Sequence, residues 1–142
     1  MFEESQNLYG LALNLQNFCE NSQDKQFNKD IFSVKFKILY LVFSYNQVSP
    51  SSLVSLLNMA KSNVALFCKQ LVEEGKLITK QDQFDHRVIY YCLTKKGQKH
   101  VLEYLEKLQK MMQKAFSQTG LKNVSRSAKT ISQYLLKTGV KQ

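Results

Sequence analysis

KSNVALFCKQLVEEGKLITKQDQFDHRVIYYCL, residues 61–93, changes character halfway along. Its first half sets Val64, Phe67, Cys68, Leu71 and Val72 on one face at helical spacing and ends at Gly75, a C-terminal stop signal. Its second half, from Lys76, predicts strand, polar turn and strand, rich in Ile, Thr, Val and Tyr. Immediately upstream, SPSSLVSLLN (49–58) offers Ser49 as an N-cap and the only proline, Pro50, at the first helical position, where its missing N–H costs nothing. A break around Asn58 and Met59 then separates two helices by a tight turn, which is a helix-turn-helix pattern. Followed at once by a β-hairpin, that pattern is a winged helix.

On either side the chain predicts more helix. VKFKILYLVFSY (34–45) is apolar almost all round after Lys37, as a helix buried against several neighbours would be. Before it, Leu8, Leu11, Ala12, Leu15, Phe18 and Cys19 recur at intervals of three and four and draw a stripe along a first helix. After the hairpin, Thr94 is placed to cap a long helix carrying Val101, Leu102, Leu105, Leu108, Met112 and Phe116, with Gly120 expected to end it. A last helix follows, striped by Val124, Ala128, Ile131 and Leu135. The fold class is therefore mainly α with a small β-hairpin: a winged helix-turn-helix flanked by N- and C-terminal helices.

At 142 residues, 44% hydrophobic and 11% aromatic, the chain is the size of one domain and has the means to fill a core. Its net charge of +9 calls for an acidic partner. That charge is uneven. Residues 1–30 hold two basic and five acidic side chains, residues 31–99 ten and four, and residues 100–142 eight and two, giving −3, +6 and +6. The first segment is thus not what meets an anion. Glu3 and Glu4 stand where a secretory signal needs positive charge, and the longest apolar run, ILYLVF (38–43), is far too short to span a bilayer; a soluble, cytoplasmic protein is expected. Cys19, Cys68 and Cys92 have no CxxC spacing and cannot all pair within one chain, which fits a reducing compartment. A Gly-rich phosphate loop, a nucleophile elbow and metal-spaced Cys and His pairs are all missing from the sequence, and His86 and His100 lack the carboxylate and Cys set of a dedicated metal site. The expectation is a protein that is not an enzyme, with no cofactor and no metal.

In order and spacing, MAKSNVALFCKQLVEEGKL (59–77), the wing DQFDHR (82–87) with its Asp-x-Arg, and LTKKG (93–97) together resemble the MarR family of bacterial transcription regulators. With the flanking helices the resemblance covers nearly the whole chain. It implies a single MarR-like domain over 1–142, with dimerisation helices in 1–30 and 100–142 and a winged-helix DNA-binding part in 31–99. It implies that Arg87 reaches the DNA minor groove or a flanking phosphate while Asp85 pairs with it and holds the turn, with His86 beside them. Physics supports this role, because the minor groove concentrates negative potential and Arg carries a permanent charge. The alternative for Asp85 and Arg87 is a hairpin salt bridge on a solvated tip, worth little.

The period of the recognition helix turns Ser62, Asn63, Leu66, Lys69 and Gln70 outward, with Lys61 at its start. Asn and Gln bond adenine edges bidentately, Ser and a helix N-terminus suit phosphate, and Lys suits guanine or phosphate. Ala60 stands where the family usually has a small polar N-cap and Leu66 where it often has a polar or basic residue; Gln83 and His86 replace the more usual Pro and Arg. An exposed Leu packs on a thymine methyl instead.

The resemblance further implies a two-fold dimer built from the first and last helices, whose stripes (Leu11, Leu15 and Phe18; Ile131 and Leu135) have no obvious partner in a compact winged helix. Two recognition helices then match an operator with two half-sites. Small, often aromatic or phenolic, effectors bind this family between the dimer helices and the DNA-binding part; Tyr9, Phe18, Phe36, Tyr40 and Phe43 are candidates for such a crevice, or are simply core. Some members sense peroxide through a cysteine in the first helix, which makes Cys19 a redox candidate, although Glu20 and Asp24 nearby oppose its thiolate. The function expected is a sequence-specific double-stranded-DNA-binding regulator, a dimeric repressor relieved by a small ligand. A winged-helix module docking a protein partner and a thiol-based redox-sensing regulator stay open as alternatives.

Overall fold

The computed structural model describes residues 2–139; Met1 and residues 140–142, which the single-domain expectation includes, lie outside the described residues. The chain runs α1 (Glu3–Glu20), α2 (Lys25–Ile31), α3 (Val34–Tyr45), α4 (Pro50–Leu57), α5 (Lys61–Glu73), β1 (Leu77–Gln81), β2 (Ile89–Leu93), α6 (Lys95–Ala115) and α7 (Gln118–Gly139). This is the expected winged helix with a helical element before and after it.

Local chemistry sets many of these boundaries. Asp24, Ser33, Ser49 and Thr94 each turn a side-chain oxygen onto the N–H three residues on, at 3.0, 3.2, 3.2 and 3.0 Å, satisfying a donor that a first helical turn leaves open. The apolar α3 lies at the centre as its composition requires. Its Phe36, Ile38, Leu39 and Val42 are buried with Leu53 of α4, Val64, Cys68 and Leu71 of α5, Leu77 of β1 and Val101 of α6. Strands β1 and β2 pair antiparallel from Leu77 opposite Leu93 to Gln81 opposite Ile89. Val48, just before α4, exchanges backbone bonds with Tyr91 at 3.1 and 2.8 Å, so the helix-turn-helix is stitched to the wing before it begins.

The LTKKG segment acts as a clamp. Helix α5 closes with Gly75 at φ +72°, a left-handed position that glycine takes without steric cost, and the N–H groups of Gly75 and Lys76 return to the carbonyls of Val72 and Leu71, both at 2.9 Å. The start of α6 then grips that turn. Thr94 Oγ1 donates to the Gly75 carbonyl at 2.6 Å, the Thr94 N–H to the Lys76 carbonyl at 3.1 Å, and Lys96 Nζ to the Glu74 carbonyl at 2.9 Å. Gly97 is buried against the same carbonyl: a β-carbon there would lie 2.1 Å from the Lys76 oxygen.

Three expectations need correction. First, the stretch between the α1 stripe and the central helix, to which the sequence assigns no element, is also helical as α2; seven residues give periodicity too little to register, and its stability is tertiary. Phe27 is buried edge-on to Tyr104 with ring centroids 5.5 Å apart, Tyr104 donates to Asp30 at 2.6 Å, and Lys107 pairs with Asp24 at 2.8 Å. Second, α6 ends at Ala115, not Gly120. Phe116 leaves the helix in extended conformation and Ser117 Oγ accepts the Gly120 N–H at 3.1 Å, so Gly120 opens α7 instead of closing α6. Third, Val72 is exposed, because it sits about 100° round the helix from buried Leu71, at the edge of the stripe.

The end helices bury little of their own. No residue of α1 is buried, and Leu8, Leu11, Leu13 and Leu15 are exposed, as is Leu136 of α7. No helix among the described residues is long and apolar enough to cross a membrane.

The clamp gives a measurable expectation. Gly97→Ala forces a β-carbon into a backbone carbonyl and should lower stability by about 3 kcal/mol. Gly75→Ala, which meets only the left-handed backbone penalty, should cost about 1 to 2 kcal/mol. Urea unfolding of both variants checks the order.

Candidate nucleic-acid interface

Burying Val64, Cys68 and Leu71 fixes the rotation of α5, and with it what the helix presents to solvent. Lys61, Ser62, Asn63, Leu66 and Lys69 are exposed and Gln70 is half-buried, so the open face is the one the helical period predicts. Ala60 occupies the N-cap in an extended conformation and makes no side-chain cap bond, so no side chain fills the capping role at the start of α5. Such a helix N-terminus favours phosphate. One face therefore offers a phosphate-seeking start, two amide side chains, a lysine and an apolar contact.

The wing is held by two aspartates. Asp85 Oδ1 accepts from the Arg87 N–H at 3.0 Å and from Arg87 Nε at 3.1 Å, while Oδ2 accepts from Nη2 at 3.2 Å. The pair is bidentate, and the Arg87 side chain is 91% exposed. Arg87, by side chain and then backbone, holds the Asp85 carboxyl below its ordinary pKa. Being a surface ion pair, it is cheap to exchange for a stronger acceptor. Asp82, which the sequence did not single out, does as much for the turn. Its Oδ1 accepts the N–H groups of Phe84 and Asp85 at 2.8 and 3.1 Å, and those two bonds lower its pKa. Its signal was present in an Asp that reaches backbone two and three residues on, the habit of an Asx turn. His86 is exposed, with Nδ1 3.4 Å from Gln81 Oε1.

Several solved structures share this fold. A transcriptional regulator from Thermotoga maritima matches over 100% of both chains at 21% identity with a TM-score of 0.67. Wild-type MarR from E. coli, in its apo form, matches over 92% of this chain and 97% of its own at 14% identity with a TM-score of 0.68. FabT of Streptococcus pneumoniae in complex with DNA matches over 94% and 96% at 18% identity with a TM-score of 0.62. The chain has the MarR-type winged-helix fold. No protein-family model and no curated protein sequence matches it.

Within the MarR-type fold the two candidate DNA-reading elements, α5 and the wing, are joined through β1, which follows α5 directly, and through Tyr91 of β2, which packs against the core that holds Cys68. The five candidate crevice residues are not brought together. Phe36 is core, with its ring 5.0 Å from Tyr104 and 6.2 Å from His100, and Phe43 packs on the same core. Phe18 meets Phe116 at 6.4 Å, and Tyr9 stands exposed on α1. Tyr40 borders two grooves: one of about 1020 Å³ leads to Ser132, Leu135 and Leu136, and one of about 1380 Å³ runs between α6 and α7 past Leu108, Met112, Phe116 and Leu121.

Two of the thiols, Cys68 and Cys19, are shifted toward the protonated form. Burial pushes Cys68 up to about 11, and burial followed by the charge of Glu20 raises Cys19. Because the thiolate is the reactive form, iodoacetamide at pH 8 should modify Cys19 and Cys68 at least about tenfold more slowly in the folded protein than in urea. Mass spectrometry of the quenched protein checks this; rapid native labelling of Cys19 would favour its role as a sensor.

Proposed function

We propose that the protein is a sequence-specific double-stranded-DNA-binding transcription regulator that works as a homodimer. The observation that carries this is the exposed Lys61, Ser62, Asn63, Leu66, Lys69 and Gln70 face of α5, half-buried only at Gln70, beside a wing presenting Arg87, in a segment of net charge +6. In this reading Asn63 and Gln70 read base edges, Lys69 and the start of α5 hold phosphate, and Arg87 leaves Asp85 for the minor groove or a flanking phosphate. The solved neighbour bound to DNA supports the same use of this fold.

The end helices support the dimer. Helix α1 carries Glu3, Glu4 and Glu20 and no basic residue, whereas α7 carries Lys122, Arg126, Lys129 and Lys137 and no acidic one. Each also has apolar side chains in the open, so α1 of one copy and α7 of another complement each other in charge and in hydrophobicity. A dimer seated on an operator excludes other proteins from it. The protein is accordingly a repressor, relieved when a small apolar or aromatic ligand enters the grooves beside Tyr40 and changes the spacing of the recognition helices. A docking module for a protein partner is the second reading, favoured by the exposed Leu66 on the reading face. With both Cys19 and Cys68 shifted toward the thiol, redox sensing has less support.

Selection of bound duplexes from a random pool tests the function. Arg87→Ala should weaken binding to the selected site by about 1 to 3 kcal/mol with the fold intact. Asn63→Ala and Gln70→Ala should change which base pairs are selected, while Lys69→Ala should lower affinity across sequences and flatten its salt dependence. Unchanged selection by both amide variants would mean that these residues do not read the site.

The dimer has a separate test. Leu15→Glu or Ile131→Glu should put an unpaired charge into an apolar contact and shift sedimentation toward monomer or unfolding, with DNA affinity falling alongside. A wild-type protein that stays monomeric at about 10 μM while binding a palindromic site tightly would remove the end helices from this role.

A further inference from the structure

The tip of the wing carries a residue that the DNA-reading scheme above does not use. Phe84 is 96% exposed, the most exposed of the large apolar side chains among the described residues. Scattered surface hydrophobics are ordinary, but turn tips are normally built from Gly, Pro, Asn, Asp and Ser. The backbone beneath this ring is also tightly fixed. The Phe84 N–H is held by Asp82, the Asp82 N–H donates to the Val88 carbonyl at 2.9 Å, and the Val88 N–H donates to the Asp85 carbonyl at 3.0 Å. An aromatic ring with few internal rotors on a fixed turn loses little freedom on binding.

Its surroundings select the partner. Lys80, His86 and Arg87 are exposed around the turn, and both nearby carboxylates are engaged, Asp82 with backbone N–H groups and Asp85 with Arg87. The wing belongs to the 31–99 segment, whose net charge of +6 is complemented by an anionic partner and not by a second copy of the same segment. DNA offers an anionic groove about 6 Å wide, whose floor presents only the adenine N3 and thymine O2 acceptors where A·T pairs lie, and is obstructed by the protruding guanine 2-amino group where G·C pairs lie. Apolar side chains wedge into such grooves beside basic ones and partly unstack a base step.

We infer that Phe84 is an apolar wedge that enters the DNA minor groove beside Arg87 and makes the wing select A·T pairs there. This rests on the DNA-binding function proposed above. Asp82 is the positioning residue, because it aims the backbone that carries the ring.

The experiment uses the full chain and three versions of a duplex that the wild-type protein selects from a random pool. They differ only under the wing, carrying A·T, G·C or inosine·C pairs. Inosine·C has the major-groove face of G·C nearly intact but lacks the 2-amino group. Wild-type protein should bind the A·T and inosine·C duplexes alike and the G·C duplex about tenfold more weakly. Phe84→Ala should lose about tenfold on the first two, bind all three within about threefold, and keep the wild-type salt slope, since no phosphate contact is lost. Phe84→Leu should keep much of the discrimination, and both variants should melt as wild type does. Equal binding of all three duplexes by the wild-type protein would overturn the inference, as would a Phe84→Ala variant indistinguishable from wild type. So would a Phe84→Ala variant whose only change is in sedimentation of the free protein, which would make the ring a contact between copies. A wild-type chain that selects no duplex would instead remove the DNA-binding function itself, and the wedge with it.

Discussion

Gly97 leaves no room for a side chain: its α-carbon lies where a β-carbon would meet the Lys76 carbonyl at 2.1 Å. That close approach ties three elements together at one point. Helix α5 ends at Gly75, β1 starts at Leu77 and α6 starts at Lys95, and the bonds from Thr94 and Lys96 close the gap between them. The direction of α5, the root of the wing and the departure of the long helix are therefore set by one packed junction. If the end helices join two copies, the same junction sets how far apart the two recognition helices stand.

Charge is divided along the same lines as packing. The winged-helix part and the C-terminal part each carry +6 and the N-terminal part −3, so the positive charge is concentrated away from α1. Ion pairs inside the chain are mostly local or exposed, and those at the Glu74 carboxylate, with Lys35 and Lys76, lie beside the Gly97 junction and add modestly to it. Tyr104 links Phe27, Phe36 and His100 into an aromatic cluster and donates to Asp30, which secures the short α2 against α6. Burial works to raise the Asp30 pKa, but the hydrogen bonds from Tyr104 and Gln26 outweigh it and hold the carboxyl ionised.

What the sequence made legible was whatever is encoded within a few residues. Ser49–Pro50, Thr94 and Gly75 mark their helix ends by local bonding, and the stripe through Val64, Cys68 and Leu71 fixes the outward face of α5. Asp85 and Arg87 are two residues apart, so their pairing is local too. What stayed hidden depends on distant contacts. Helix α2 exists through Phe27 and Tyr104, 77 positions apart, and Phe36 is core because α6 covers it. Gly120 is ambiguous by nature, since glycine near a helix boundary marks an end only when the chain does not restart at once; here Ser117 restarts it. The reach of Asp82 and the exposure of Phe84 belong to the geometry of a turn, which residue type alone does not fix.

The central claim is that α5 and the wing form a surface for DNA. Equilibrium binding of the purified chain to random-sequence duplex DNA, measured as salt is raised, tests it most directly. With Lys61, Lys69 and Arg87 from each of two subunits on phosphate, log K should fall linearly with log salt, with a slope of about −5. Binding that is undetectable at low salt, or that does not change as salt is raised, would contradict the account.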